Sequence, residues 1–222
     1  MTINIPVIAI DGPSASGKGT VAQLVAAQLG FHYLDSGALY RIVAFATQQQ
    51  NIAWHDAIAV TACTKTLVIK FNHEQVLLNN KDISNEIRTE AISKGASQVA
   101  VHASLRAALL DLQHSFCRAP GLVADGRDMG TVVFPHALLK IFLTAIKETR
   151  AERRYQQLSE KKQPANFEKI LQELTERDSR DKSRLSAPLI MAGDAFLLET
   201  DNLTISATVD VILQHYQHKI SK

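Results

Sequence analysis

Only two cysteines, Cys63 and Cys117, stand in 222 residues, and no CxxC pair occurs. That scarcity excludes a disulfide-built scaffold and leaves two reduced thiols as the expectation. Long hydrophobic runs are missing too. The longest reach about six residues, as in Ile5–Ile10, against the ~20 that a membrane helix needs. Asp11 interrupts the first apolar stretch before a secretory leader could form, so a cytoplasmic protein is expected. Charge of one sign is also lacking: Lys and Arg total 24 against 22 Asp and Glu, a net +2. Without a global field, neither nucleic acid nor a membrane is an expected partner, and any basic site must be local. The eight histidines show no HExxH or other metal spacing. No GxSxG elbow, NKxD guanine signature, repeat or low-complexity tract occurs.

What is present is a strand–helix alternation. Hydrophobic residues make up 46% of the chain, enough for a real core. Pro6–Asp11 reads as a fully buried parallel strand and Lys18–Leu29 as a helix with Val21, Leu24, Val25 and Leu29 on one face. Phe31–Leu34 reads as a strand and Ser36–Gln49 as a helix. The texture then changes over Asn51–Arg88. There Leu67–Asn72 and Val76–Leu78 form an expected hairpin around His73-Glu74. Helical windows follow at Glu90–Val101 and Ala103–Phe116. Strands are expected at Gly121–Asp125, Leu138–Leu143 and Ala195–Glu199, with a loop at Gly126–Gly130. Helices are expected at Glu148–Lys162, Phe167–Lys182 and Ile205–His218. This order predicts an α/β fold, a parallel five-stranded sheet flanked by helices on both faces.

The chemistry-bearing segments lie at strand ends. Gly12-Pro13-Ser14-Ala15-Ser16-Gly17-Lys18-Gly19-Thr20 is nearly the GxxxxGK[ST] phosphate loop, set between the first strand and first helix. Such a loop turns successive N–H groups inward, the helix N-terminus adds positive potential, and Lys18 adds a full charge. Gly19 replaces the usual hydroxyl residue, and Thr20 offers one a position later for Mg²⁺. Asp35 to Arg41 (DSGALYR) places Arg41 one turn into a helix, suited to a phosphate that is bound but not consumed. In Ala124 to Gly130 (ADGRDMG), Asp125 ends a buried strand, where an acid can hold Mg²⁺ through water. Arg127 and Asp128 follow in the loop. Arg177, Asp181 and Arg184 fall at i, i+4 and i+7, which predicts one helical face. With Arg153 and Arg154 on the preceding helix, they suggest a mobile arginine lid. Each charged helix alone would as readily be a solvated ion-pair ladder.

With these motifs the sequence resembles the bacterial cytidylate kinase family over nearly its whole length. The motifs are GPSASGKGT, DSGALYR, ADGRDMGTVVFP at Ala124–Pro135, and RDSRDKSR at Arg177–Arg184. The resemblance implies a P-loop kinase core with an inserted monophosphate-binding subdomain, enlarged by a small antiparallel sheet, and a helical lid. The chain then divides into core at 1–40, 103–150 and 185–222, insert at 41–102, and lid with its hinge helices at 151–184. It further implies ATP-dependent phosphorylation of CMP and dCMP by a monomer, with Mg²⁺. Residues 12–20 would hold the ATP phosphates, and Thr20 and Asp125 the metal. Lys18, Arg127, Arg154 and Arg177 would form the catalytic set. Ser36, Arg41 and Arg127 would surround the acceptor phosphate, and Ser97, Arg106 and Asp128 would face the cytosine. Arg177, Asp181 and Arg184 would line ribose and phosphates, and the Asp201-Asn202 loop would meet the ATP base. The alternatives are a kinase for UMP, AMP or shikimate, a non-catalytic nucleotide switch and, last, a nucleic-acid binder.

Overall fold

The computed structural model describes residues 5–72, 75–160 and 162–221. The chain separates into two compact units, one formed by residues up to Asp35 and from His114 onward, the other by Ser36–Gln113. The expected turn at His73-Glu74 lies outside the described residues, as does the loop residue Lys161.

The first unit opens with β1 (Val7–Asp11), α1 (Lys18–Leu29) and β2 (His32–Asp35). The second unit then runs through α2 (Ser36–Gln49), α3 (Ala57–Cys63), β3 (Ile69–Asn72), β4 (Gln75–Leu78), β5 (Lys81–Asp82), α4 (Glu90–Val99) and α5 (Ala103–His114). The first unit resumes with β6 (Leu122–Gly126), a π-helical turn (Met129–Val133), β7 (Leu139–Thr144), α6 (Lys147–Glu160), α7 (Phe167–Ser183), β8 (Phe196–Glu199) and α8 (Ile205–Ile220).

The large sheet has the order β2-β6-β1-β7-β8, and every pairing is parallel. Parallel strands are buried on both faces, so β1 and β6 begin as apolar runs, each reaching an acid near its carboxyl end, and are buried throughout. Ile8, Ile10, Val123, Ile141 and Leu143 pack with Val21 and Val25 of α1 and with Val209, Ile212 and Tyr216 of α8. The buried stripe of α1 runs through Ala22 and Ala26. Leu24, expected on that face, is 41% exposed. Small residues let α1 lie close to the sheet, which moves the stripe away from the bulkier leucine.

In a sheet of this order, the chain leaves β1 in opposite directions, and ligands bind beyond the carboxyl ends near that point. Asp11, Asp35 and Asp125 all stand at carboxyl ends, of β1, β2 and β6, with Gly126 following as the last residue of β6. Helices α6 and α7 share their own apolar cluster, Ala151 and Leu158 with Ile170 and Leu174. Asn166 begins α7 by accepting the Lys169 N–H at 2.8 Å, which is why the charged stretch splits there.

The second unit carries a three-stranded antiparallel sheet, β3-β4-β5. Sequence reading found β3 and β4 and missed two-residue β5 and seven-residue α3. The signal for α3 was Asp56, whose carboxylate accepts the Ala59 N–H at 3.0 Å and caps the helix.

Candidate active site

The phosphate loop joins β1 to α1. Gly12 tolerates no side chain, because a Cβ there would lie 2.0 Å from the Leu143 carbonyl oxygen. Gly17, at φ 89°, turns the chain into α1 in a conformation that glycine alone adopts freely. Ala15 also has a left-handed backbone, φ 58°, and its methyl packs against the α6–α7 cluster. Helix α6 grips the loop from the same side. Arg150 Nη1 donates to Ser14 O at 3.1 Å, and Arg153 Nη1 donates to Ser16 O at 3.2 Å. Arg153 also donates to Thr200 O at 2.6 Å, and Arg150 pairs with Asp178 at 2.7 Å. The sequence reading had named Arg153 without a contact and had not singled out Arg150. Arg154, chosen instead, donates to Gln157 on its own helix at 2.5 Å.

Lys18 is buried and donates to Pro13 O at 3.1 Å. Burial, reinforced by the Arg127 and Arg177 charges and opposed by Asp125 and Asp35, pushes its ammonium down to about 7. Among the described residues, Ser16 Oγ is buried without a hydrogen-bond partner. A polyanion here would draw the Lys18 pKa back up and offer Ser16 Oγ an acceptor.

Asp125 is buried at the end of β6 and accepts the Tyr33 hydroxyl at 3.2 Å. Its Oδ2 lies 3.4 Å from where a Cβ on Gly19 would be. The missing Walker hydroxyl residue therefore leaves room beside a carboxylate. Thr20, the expected substitute, is exposed.

Past Asp125 the chain is not the simple loop expected over Gly126–Gly130. Asp128 O accepts from Val132 N and Val133 N at 2.9 and 3.1 Å, and Met129 O accepts from Phe134 N at 2.7 Å, the long spacing of a π turn. Arg127 Nε donates to Asp181 Oδ2 at 2.7 Å. Burial would raise the Asp181 carboxyl, but Arg127 and Arg177 outweigh it and hold it below its usual range. Asp128 is 2% exposed. So Lys18, Asp125, Arg127, Arg177 and Asp181 share one electrostatic neighbourhood, and these charged residues are not a surface ladder.

Arg184 departs from the predicted helical face. Helix α7 ends at Ser183, and Arg184 has extended backbone, φ −64° and ψ 139°. It still turns back, with Nη1 3.9 Å from Asp181 Oδ1 and Nε donating to Ala187 O at 2.6 Å.

The second unit holds Ser36, Arg41, Ser97 and Arg106. Ser36 opens α2 and its buried hydroxyl donates to Gln113 Oε1 at 2.8 Å. Arg106 of α5 lies over the Tyr40 ring, 5.3 Å from its centroid, and donates to Ala100 O at 3.2 Å. Ser97 is buried on α4, and Arg41 is half-buried one turn into α2. Gln113 and Tyr40 were not foreseen, since neither type marks a site without its partner.

A glycine-rich loop around a buried lysine, at the central strand of a five-stranded parallel sheet, defines a P-loop kinase. The family model described as cytidylate kinase matches residues 8–218, and the chain belongs to that family. A cytidylate kinase from Chromobacterium violaceum is 52% identical over 217 residues, 98% of both chains. Another, from Burkholderia pseudomallei, is 54% identical over 212 residues, 96% of this chain and 93% of the relative. The shikimate kinase of Bacteroides thetaiotaomicron shares the fold alone, with TM-score 0.50, 10% identity, and coverage of 96% of this chain and 98% of that one.

Proposed function

We propose that this protein transfers the γ-phosphoryl group of ATP to CMP, and to dCMP, giving the diphosphate and ADP. The observation that carries the reading is the buried Lys18 at the head of the glycine-rich loop with Arg127 and Arg177 in its field, three cations that an oligophosphate can take as partners. Ser36, Arg41 and Arg127 take the acceptor phosphate. Ser97, Arg106 and Asp128 read cytosine, and Arg177, Asp181 and Arg184 order the ribose and phosphates. The 41–102 segment is the monophosphate-binding insert, and 151–184 the lid, with Arg154 swinging in on closure.

The nucleophile is an acceptor phosphate oxygen, ionised near neutral pH, so no side chain need remove a proton. The bond from the γ-phosphorus to the β–γ bridging oxygen breaks as the new P–O bond forms, and ADP leaves with that oxygen. Lys18, Arg127 and Arg177 hold the two polyanions together and stabilise charge on the transferring group. Mg²⁺ fits the donors present. The Asp125 carboxylate is a hard oxygen ligand facing the start of α1, and Mg²⁺ takes few protein ligands beside water and phosphates. Among the described residues no cluster of three acidic, His or Cys side chains forms an all-protein cage. When bound, the metal would supply positive charge to the β- and γ-phosphate oxygens.

A coupled assay of ADP release with CMP, dCMP, UMP and AMP tests this. CMP and dCMP should turn over far faster than the others. A protein that turns over only AMP or UMP, or releases ADP equally without acceptor, would overturn it.

A further inference from the structure

Asp11 has no role in the scheme above, yet it is one of the most completely used carboxylates in the first unit. It ends β1, immediately before Gly12 of the phosphate loop, and is 5% exposed. Its Oδ1 accepts the Met129 N–H at 2.8 Å, and its Oδ2 accepts the Gly130 N–H at 2.8 Å. These are the amides that follow Arg127 and Asp128, 118 and 119 residues away in sequence. An amide pair at the start of a π turn has no partner within that turn, so a buried carboxylate meets a need the backbone cannot. Across the sheet, Asp11 pairs in register with Gly126, so the side chain spans from the strand end over the Gly126–Asp128 bend.

We infer that Asp11 is a positioning residue for acceptor recognition: it fastens the Arg127–Asp128 bend to the strand that carries the phosphate loop. The inference rests on the assignment of Asp128 to the base and Arg127 to the acceptor phosphate. The fastening is buried and tight: burial pushes the Asp11 carboxyl up to about 6, against the pull of its two amide bonds. Asp11 feels both the Asp128 carboxylate and the Lys18 ammonium, so the acceptor-reading acid and the phosphate lysine are both within its field. Gly130 has little slack: a Cβ there would stand 3.1 Å from Lys140 Cδ, which would have to give by a few tenths of an ångström, and 3.4 Å from Asp11 Oδ2. Without Asp11 the two amides would be buried and unsatisfied, and the bend would move to find partners.

Asp11→Asn keeps the shape but replaces one acceptor oxygen with a donor that opposes an N–H. In the folded variant, kcat/KM for CMP over UMP should fall at least tenfold, with KM for CMP raised and KM for ATP within about threefold of native. The ratio is insensitive to titration of the acceptor phosphate, which CMP and UMP share. Gly130→Ala, which crowds the same junction and leaves the carboxylate in place, should lower the ratio in the same direction and less. It also serves if Asp11→Asn does not fold, as judged by circular dichroism and thermal melting. Asp11→Glu should not restore selectivity, because the longer arm cannot keep both bonds. An unchanged ratio in folded Asp11→Asn or Gly130→Ala, or equal rises in KM for ATP and CMP, overturns the inference. If the native protein does not favour CMP over UMP, the function assignment fails, independently of Asp11.

Discussion

The two units hold their polar site groups differently. In the first, charges are wired to one another and to backbone: Arg127 to Asp181, Arg150 to Asp178 and Ser14 O, Asp11 to two amides. In the second, Ser36 meets a neutral glutamine, and Arg106 lies on an aromatic face and donates to one backbone carbonyl, Ala100 O. Preorganised charge favours stabilising a transition state, while neutral and aromatic contacts favour holding a ligand of defined shape. The comparison predicts that loss of a first-unit phosphate cation strikes turnover, that loss of the first-unit carboxylate assigned to the base strikes selectivity, and that second-unit changes strike acceptor affinity.

The sharpest break would come at Lys18. Lys18→Met should lower kcat by a factor of roughly 10³ or more, since its charge acts chiefly as the γ-phosphoryl group leaves. The melting temperature should hold or rise, because a buried ammonium is removed. Near-native kcat in folded Lys18→Met would end the phosphoryl-transfer reading.

Next in size is base selection. Cytosine offers an amino donor at N4, and uracil an acceptor at O4. Against the Asp128 carboxylate the uracil mismatch costs roughly 2–4 kcal/mol, or about 30- to 1000-fold in kcat/KM. Asp128→Asn can turn its amide to donate, so CMP activity should fall and the CMP-to-UMP gap narrow. Arg41→Ala, in the second unit, should raise KM for both acceptors alike and leave their ratio intact. A ratio that changes more in Arg41→Ala than in Asp128→Asn would invert the comparison.

A smaller and distinct effect is proton uptake. Lys18 titrates at about 7 in the free protein, below its ordinary 10.5. At pH 8 it is mostly neutral, and a bound triphosphate would draw its pKa back up, so binding should take up close to one proton. Titration calorimetry of an ATP analogue in buffers of different ionisation enthalpy measures this number, and Lys18→Met should abolish it. The sign for stability follows from the same shift. With the folded pKa depressed, the unfolded chain binds the extra proton. This group's contribution is then fully present above about 10.5 and is lost as pH falls through about 7. No uptake at pH 8 would mean that Lys18 is already charged in the free protein.

Much of the first unit was legible because its site is written locally. Glycines, a lysine and acids stand at the ends of apolar strands, where parallel sheets place ligands. Asp11 also is an acid ending a buried strand, yet the sequence analysis does not single it out, because its partners lie 118 and 119 residues downstream and no local pattern reveals them. The π turn was hidden for that reason. Ser97 and Arg106 became visible only through family resemblance, because each sits in an otherwise ordinary helix. Arg184 was placed on a helical face by counting, which could not see that α7 ends at Ser183. Short elements such as β5 are defined by their partner strand more than by their own residues.

The smallest predicted effect concerns Ala15, where the phosphate loop meets α6 and α7 within the first unit. Its φ of 58° puts an alanine in the left-handed region, at a cost of about 1–2 kcal/mol. Ala15→Gly removes that strain. It also strips a methyl from the Ala151, Leu158, Ile170 and Leu174 cluster, worth at most about 0.8 kcal/mol, and frees the unfolded chain by about 0.5–1 kcal/mol. The terms nearly cancel, so unfolding free energy should change by less than about 1 kcal/mol. Function need not follow stability. Without the methyl, the loop loses its apolar hold on α6 and keeps the Arg150 and Arg153 bonds to Ser14 O and Ser16 O. KM for ATP should therefore rise about two- to fivefold, a loss of under about 1 kcal/mol, with acceptor selectivity unchanged. Chemical denaturation and steady-state kinetics on one preparation measure both. If Ala15→Gly stabilises by more than about 1 kcal/mol, the methyl contributes nothing to the cluster, and the arginines alone hold the loop.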